Sequence, residues 1–248
     1  MKKLMKANFN PKAKFFFQQG LRQERAGENE AAIASLDKAL SYQPDYADAW
    51  SQQGIVLGKL GQHDEAIANF DKALAIRPDA GWIWHNRGIA LSKLGEYEAA
   101  INSFDRAIEF SPDIPTFWHN QGIAFMDWGC YQKAVACFER TLKLQPDSHW
   151  AWYNRGKALL QLRYYEEALN SFDRAIEFKP DFFIAWHYRG ITLSERGRYE
   201  KAVASFNRAI EINPDYEPVW YNKGIALEKL GCYLQAIACF DKVHLRQK

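Results

Sequence analysis

One interval governs this chain. Tryptophan recurs at Trp50, Trp84, Trp118, Trp152, Trp186 and Trp220, a constant step of 34 residues, with Phe16 one step earlier. Gly20, Gly54, Gly88, Gly122, Gly156, Gly190 and Gly224 follow each aromatic by four. Ala32, Ala66, Ala100, Ala134, Ala168, Ala202 and Ala236 keep the step, as do Leu36 and then Phe70, Phe104, Phe138, Phe172, Phe206 and Phe240. Pro44, Pro78, Pro112, Pro146, Pro180 and Pro214 close six of the units. A unit this short cannot bury its own apolar faces, so the chain must stack such units into a continuous core rather than fold around a single centre.

Within a unit the apolar residues fall into two stripes at helical spacing, for example Trp84, Gly88 and Leu91, then Tyr97, Ala100, Phe104 and Ala107. Gly61, Gly95, Gly129, Gly197 and Gly231 lie between stripes, where a helix end needs marking. Pro-Asp after the second stripe stops that helix, and the Asp is expected to accept the first amides of the next. Asn10-Pro11 reads as the N-cap and first turn of the first helix.

We number repeat positions so that Trp is position 4, Gly position 8 and Pro position 32. This spacing of aromatic, Gly, Ala, Phe and Pro over residues 13–248 resembles the tetratricopeptide repeat family. The resemblance implies an all-α fold, a right-handed α-α superhelical solenoid of seven hairpins. The repeats run 13–46, 47–80, 81–114, 115–148, 149–182, 183–216 and 217–248, as one domain (11–248) behind a Lys-rich tail (1–10) carrying Lys2, Lys3 and Lys6. That tail has no apolar segment long enough for a secretory signal.

Composition narrows the function. Lys and Arg number 32 against 30 Asp and Glu, so nothing in the net charge asks for nucleic acid or a membrane surface. No apolar run reaches a membrane span. Four cysteines in 248 residues do not form a disulfide framework, which points to a reducing, cytoplasmic setting. Cys130/Cys137 and Cys232/Cys239 stand seven apart, about 10 Å along a helix and too far to bridge, so they read as packing residues.

In the family's architecture the first helix of each repeat lines a concave groove. Position 6 carries Gln18, Gln52, Asn86, Asn120, Asn154, Tyr188 and Asn222, which resembles the asparagine ladder of superhelical family members that grip extended peptides. An amide offers two donors and an acceptor, so it pairs with peptide backbone of any sequence. Position 5 adds Phe17, Ser51, His85, His119, Tyr153, His187 and Tyr221; position 9 adds Leu21 and an isoleucine floor interrupted by Lys157. Trp82 and Trp150 at position 2 are extra rings that the fold does not demand. The expected activity is that of a non-enzymatic scaffold or adaptor. It would bind a protein or peptide partner through Asn86, Asn120, Asn154, Asn222, His85, His119, Tyr153, His187, Tyr221, Lys157, Trp82 and Trp150, with Lys157 preferring an acidic residue.

Position 7 carries Arg87, Arg155, Arg189 and Lys223 and needs partners, which the acidic residues at position 25 supply: Asp37, Asp71, Asp105, Glu139, Asp173 and Asp241. The seventh repeat has no Pro and ends in His244-Leu245-Arg246-Gln247-Lys248, so either Ile237, Phe240, Val243 and Leu245 form a candidate face for a homodimer or another partner, or the chain is part of a longer protein. Other readings are weaker. No repeat combines Lys at position 5 with Asn at 9, so the family's chaperone-binding carboxylate clamp is absent. Asp48, Glu24, Asp127, Glu195 and Glu228 in the groove argue against an RNA-binding helical repeat. No catalytic residues, cofactor or metal site are expected: His85 and His119 sit on helices about 8–10 Å apart, too far to share an ion. A regulatory or sensor module of a separate or fused effector is the remaining variant of the scaffold reading.

Overall fold

Why each repeat makes two helices is plain from where its glycines sit. In a computed structural model, which describes residues 10–244, every element among the described residues is helical. The first helices are α1 (Pro11–Arg25), α3 (Ala47–Lys59), α5 (Gly81–Lys93), α7 (Pro115–Asp127), α9 (His149–Gln161), α11 (Phe183–Glu195) and α13 (Glu217–Lys229). Each is followed by its second helix: α2 (Asn29–Tyr42), α4 (His63–Ile76), α6 (Tyr97–Phe110), α8 (Tyr131–Leu144), α10 (Tyr165–Phe178), α12 (Tyr199–Ile212) and α14 (Tyr233–His244). The expected all-α fold of seven helix hairpins is therefore what the chain adopts. The Lys-rich tail and Leu245 lie outside the described residues. The chain divides into two compact units, Met1–Asn120 and Gln121–Lys248, which we describe one at a time.

The turn inside each hairpin needs a left-handed residue. Gly61 has φ 79°, and Gln62 N then donates to Leu57 O at 3.0 Å, closing the helix end. Five further hairpins use Gly in the same way, but the fifth uses Arg163 at φ 61°. A side chain there is strained by about 1 kcal/mol. Arg163→Gly should therefore raise the stability by about that amount, seen as a higher urea midpoint; an unchanged or lower midpoint would refute the strain.

In the first unit, the core is built from Ala13, Ala32, Leu36, Ala39 and Val56, then Ala66, Phe70, Ala73, Leu74, Ile83 and Ala90. In the second unit, Phe172, Ala175 and Ala185, then Phe206, Ala209, Val219 and Ala226, repeat the arrangement. The position-24 ring presses on the position-8 glycine of its own hairpin. A Cβ on Gly88 would lie 2.8 Å from Phe104 Cε1, and one on Gly190 would lie 2.4 Å from Phe206 Cε1.

The step shared by Trp and Pro has a polar cause as well. Each indole Nε1 donates to the carbonyl of the proline six residues earlier, Trp84 to Pro78 at 2.8 Å and Trp152 to Pro146 at 2.9 Å among them. The bond ties the start of a first helix to the loop before it. Trp152→Phe should cost about 1 kcal/mol through the lost bond alone, measurable as a lowered urea midpoint.

The position-7 arginines pair as their charge requires, whereas Lys223 lies over the Trp220 ring with Nζ 5.4 Å from its centre. Arg87 Nε donates to Asp71 Oδ1 and Arg189 Nε to Asp173 Oδ1, both at 2.7 Å, and Arg155 Nη2 donates to Glu139 Oε1 at 2.8 Å. A second nitrogen of each reaches a buried serine, Ser103, Ser171 or Ser205. One expectation needs correcting. The Asp of Pro-Asp does not cap the next helix: the N-caps of α3, α5, α11 and α13 are Tyr46, Ala80, Phe182 and Tyr216, with no side-chain cap bond. Pro-Asp forms the turn itself, which places the Asp one residue too early. Asn10 does cap α1, its Oδ1 accepting from Lys12 N at 3.0 Å.

Candidate functional site

From the second repeat on, the first helices bury positions 3 and 8 and leave positions 6 and 9 mostly half-buried on one side, with position 5 beside them buried at Ser51, Tyr153 and His187. Ile55 and Ile89 are half-buried there, whereas Ile83, at position 3, is wholly buried.

In the first unit, His85 stacks on Phe117 with ring centres 4.6 Å apart, and its Nε2 lies 2.8 Å from Asn120 Nδ2. The amide nitrogen can only donate, so the imidazole is neutral, with its proton on Nδ1. Burial pushes the His85 pKa down to about 4, the hydrogen bond of Asn86 acting weakly the other way. Asn120 thus has one of its donors committed inside the chain. Asn86 has no histidine of the preceding repeat to meet, because position 5 there is Ser51, which is buried and whose Oγ has no hydrogen-bond partner; its side chain bonds His85 beside it. Asn86 instead lines a cavity of about 250 Å³ with Ile55, Gly58, Ile89, Phe70 and Lys93. Trp82 is exposed, with the Arg77 guanidinium 5.5 Å above its ring and Arg77 in turn paired with Asp48 at 2.7 Å. His119 is half-buried, and burial lowers its pKa to about 4.

In the second unit the same arrangement recurs between His187 and Asn222, again at 2.8 Å. His187 is buried against Tyr188, Tyr216 and Phe206, and burial lowers its pKa to about 4. Asn154 is buried as well. Tyr153 and Tyr188 hold the equivalent places in repeats five and six, with ring centres 5.5 Å apart. Burial raises the Tyr153 hydroxyl well above its ordinary range, the neighbouring Tyr188 adding to it. Lys157 Nζ sits 5.5 Å from both ring centres. Trp150, half-exposed, meets Phe182 edge-on at 4.7 Å and lies 5.9 Å from Tyr153. Tyr221 is exposed beside Phe240. On α14, Phe240 and Val243 are half-buried, while Tyr233, Leu234 and Ile237 are exposed, Leu234 to 86%.

The sequence reading took positions 5 and 6 as separate rows. The structure joins position 5 of one repeat to position 6 of the next, and reading the rows one repeat out of step shows this: His85 with Asn120, Tyr153 with Tyr188, His187 with Asn222. It also missed Phe182 and Tyr216, whose shared position 34 precedes each first helix, and Gly58. Among the described residues no three His, Cys, Asp or Glu side chains come together as a metal site. The four cysteines are thiols, Cys137 and Cys239 buried.

Comparison with known families decides the lineage. Tetratricopeptide repeat models match residues 45–113, 85–148, 119–181 and 171–204, and a further one matches 25–61 and 190–231, so together they span 25–231. The chain belongs to the tetratricopeptide repeat family. A tetratricopeptide repeat protein from Parabacteroides merdae superposes with a TM-score of 0.75 at 18% identity, covering 95% of this chain and 93% of that one. YrrB, described as a tetratricopeptide repeat protein with an unusual peptide-binding site, gives 0.64 at 22% identity, over 76% and 97%. A MamA segment from Desulfovibrio magneticus gives 0.66 at 21% identity, over 70% and 98%. At these identities the likeness is one of fold. No curated protein sequence matches the chain significantly. No helix among the described residues of this family member is long and apolar enough to cross a membrane.

Proposed function

We propose that this tetratricopeptide repeat protein is a non-enzymatic interaction scaffold that takes a segment of a partner protein along its first-helix faces. The observation that carries this reading is the split between positions. Core positions repeat because packing demands it, yet positions 6 and 9 repeat amides and isoleucines on a side that the fold leaves partly open, with position-5 rings beside them. A peptide offers backbone groups for the amides and side chains for the rings. YrrB, a tetratricopeptide repeat protein with an unusual peptide-binding site, lends support from the same fold.

The test is affinity capture from source-cell extract with the native chain and a variant carrying Asn86→Ala, Trp150→Ala and Lys157→Glu. These three side chains lie on the open side, and their loss leaves the His85–Asn120 and His187–Asn222 bonds intact. A protein held by the native chain and lost by the variant supports the reading. Equal retention, or retention that disappears with nuclease or moderate salt, overturns it, the latter in favour of nucleic acid.

A second reading rests on α14. Ile237 is 55% exposed, whereas its equivalents Ile101 and Leu169 are 8% and 7% exposed. We infer that this face pairs with a second copy. Sedimentation should then show a dimer that Ile237→Glu with Leu234→Glu converts to monomer; a native chain that sediments as a monomer at all concentrations removes this reading.

A further inference from the structure

Gly58, in the last turn of α3, is the one helical glycine of the first unit that packing does not explain. Gly54 and Gly88 face Phe70 and Phe104 so closely that a Cβ would clash at 2.7 and 2.8 Å, but a Cβ on Gly58 would meet nothing within 4 Å. Position 12 holds Glu24, Ser92, Met126, Leu160, Ser194 and Glu228 in the other repeats. Glycine is a poor helix former, and here, within the last turn of α3, it opens a notch over the cavity of about 250 Å³.

The walls of that cavity specify a ligand. Ile55, Ile89 and Phe70 make an apolar floor, large enough for one leucine or phenylalanine side chain, since an apolar cavity of about 150 Å³ already accepts benzene. Asn86 stands in the wall with no histidine of the preceding repeat on it; its bond to His85 favours the protonated ring and so engages the Asn86 oxygen, which leaves the amide nitrogen to donate to a peptide carbonyl. Two lysines stand on the rim. Lys59 is paired with Glu24, whereas Lys93 is exposed and has no carboxylate partner among the described residues.

Resting on the scaffold reading above, we propose that this cavity is a pocket for one bulky apolar side chain of an extended partner segment, with an acidic residue beside it held by Lys93. An internal residue is the occupant, its neighbours supplying the peptide carbonyl for Asn86 and the carboxylate for Lys93. The arrangement gives the partner a short signature, a leucine or phenylalanine next to an aspartate or glutamate.

Amide chemical-shift titration of the whole chain tests it, with the end-blocked peptide acetyl-Gly-Ser-Leu-Glu-Ser-Gly-amide as probe. Saturable shifts at Ile55, Asn86, Ile89 and Lys93 are expected. Replacing Leu by Ala in the peptide should weaken binding tenfold or more. Replacing Glu by Lys should weaken it too, and that preference should shrink with salt. Gly58→Met fills the notch with a residue that the fold already carries as Met126, so this variant should fold and lose binding, while Lys93→Gln should erase only the Glu preference. Undiminished binding by Gly58→Met, or tighter binding of a peptide ending in Leu with a free carboxylate, overturns the proposal. Shifts confined to Tyr153 and Lys157 also overturn the pocket but leave the scaffold reading standing. No saturable shift from the probe anywhere overturns the pocket, and the capture experiment then decides the scaffold reading separately.

Discussion

Gly190→Ala lowers the stability of the chain by about 2 kcal/mol, although alanine is the better helix former. The added Cβ would sit 2.4 Å from Phe206 Cε1 and 2.6 Å from Cδ1. The ring cannot retreat, because Phe206 is wholly buried and packed with Leu193, Ala202, Ala209, Val219 and Ala226. Overpacking of this kind costs about 1–3 kcal/mol, with the upper end expected at so short an approach. The gain in helix propensity returns at most about 1 kcal/mol. The contrast is Gly58→Ala, which meets open space and should stabilise by about 0.5–1 kcal/mol. Urea unfolding followed by circular dichroism reads both changes as shifts of midpoint in opposite directions. Equal shifts for the two variants would mean that the close packing of glycine on phenylalanine does not hold the hairpin together. Gly20→Ala should be milder than Gly190→Ala, since the nearest side-chain atom is Leu36 Cγ at 3.0 Å and leucine can turn aside.

The second large effect is acid instability. Burial holds His85, His119 and His187 at pKa values of about 4, below the ordinary value of 6.5. Between those two values the unfolded chain binds protons that the folded chain does not. Stability is therefore fully present above about pH 6.5 and is lost as pH falls towards 4, by up to about 1.4 kcal/mol per pH unit for each histidine. For His85 and His187 the geometry gives the cause a second part. Their Nε2 atoms accept from Asn120 and Asn222, and a proton there would turn the bond into two opposed donors. The three share the same depression and should contribute alike, and His187, buried against Tyr188, Tyr216 and Phe206, gives the single-residue test. Urea midpoints at pH 7, 6, 5 and 4.5 should fall steadily in the native chain. His187→Gln keeps an acceptor for Asn222 and should flatten the slope by about one proton. A native midpoint that stays constant from pH 7 to 4.5 would show that these rings are hydrated rather than buried.

The period of 34 made the hairpins, their turns and their core legible before any coordinates. Trp, Gly, Ala and Phe recur because the same contact recurs. The pairing of Arg87, Arg155 and Arg189 with acidic residues was legible too, since a half-buried guanidinium must find a counter-charge. The role of Pro-Asp was misread by one residue, because proline fixes a turn but does not say which following residue starts the helix.

The candidate site was legible only as rows of residue types. That position 6 is rich in asparagine is a fact of sequence; that Asn120 and Asn222 face histidines of the preceding repeat follows from how neighbouring first helices are staggered, which no single row records. Gly58 shows the same division more sharply. Glycines at 54, 58 and 61 look alike as letters, yet one gives way to a phenylalanine ring, one borders an open cavity and one turns the chain at φ 79°. Sequence alone determined the repeated hairpin, because its contacts are local and recur in every unit. Tertiary structure alone decided which polar groups are already bonded and where space is left open, because both depend on atoms contributed by the adjacent repeat.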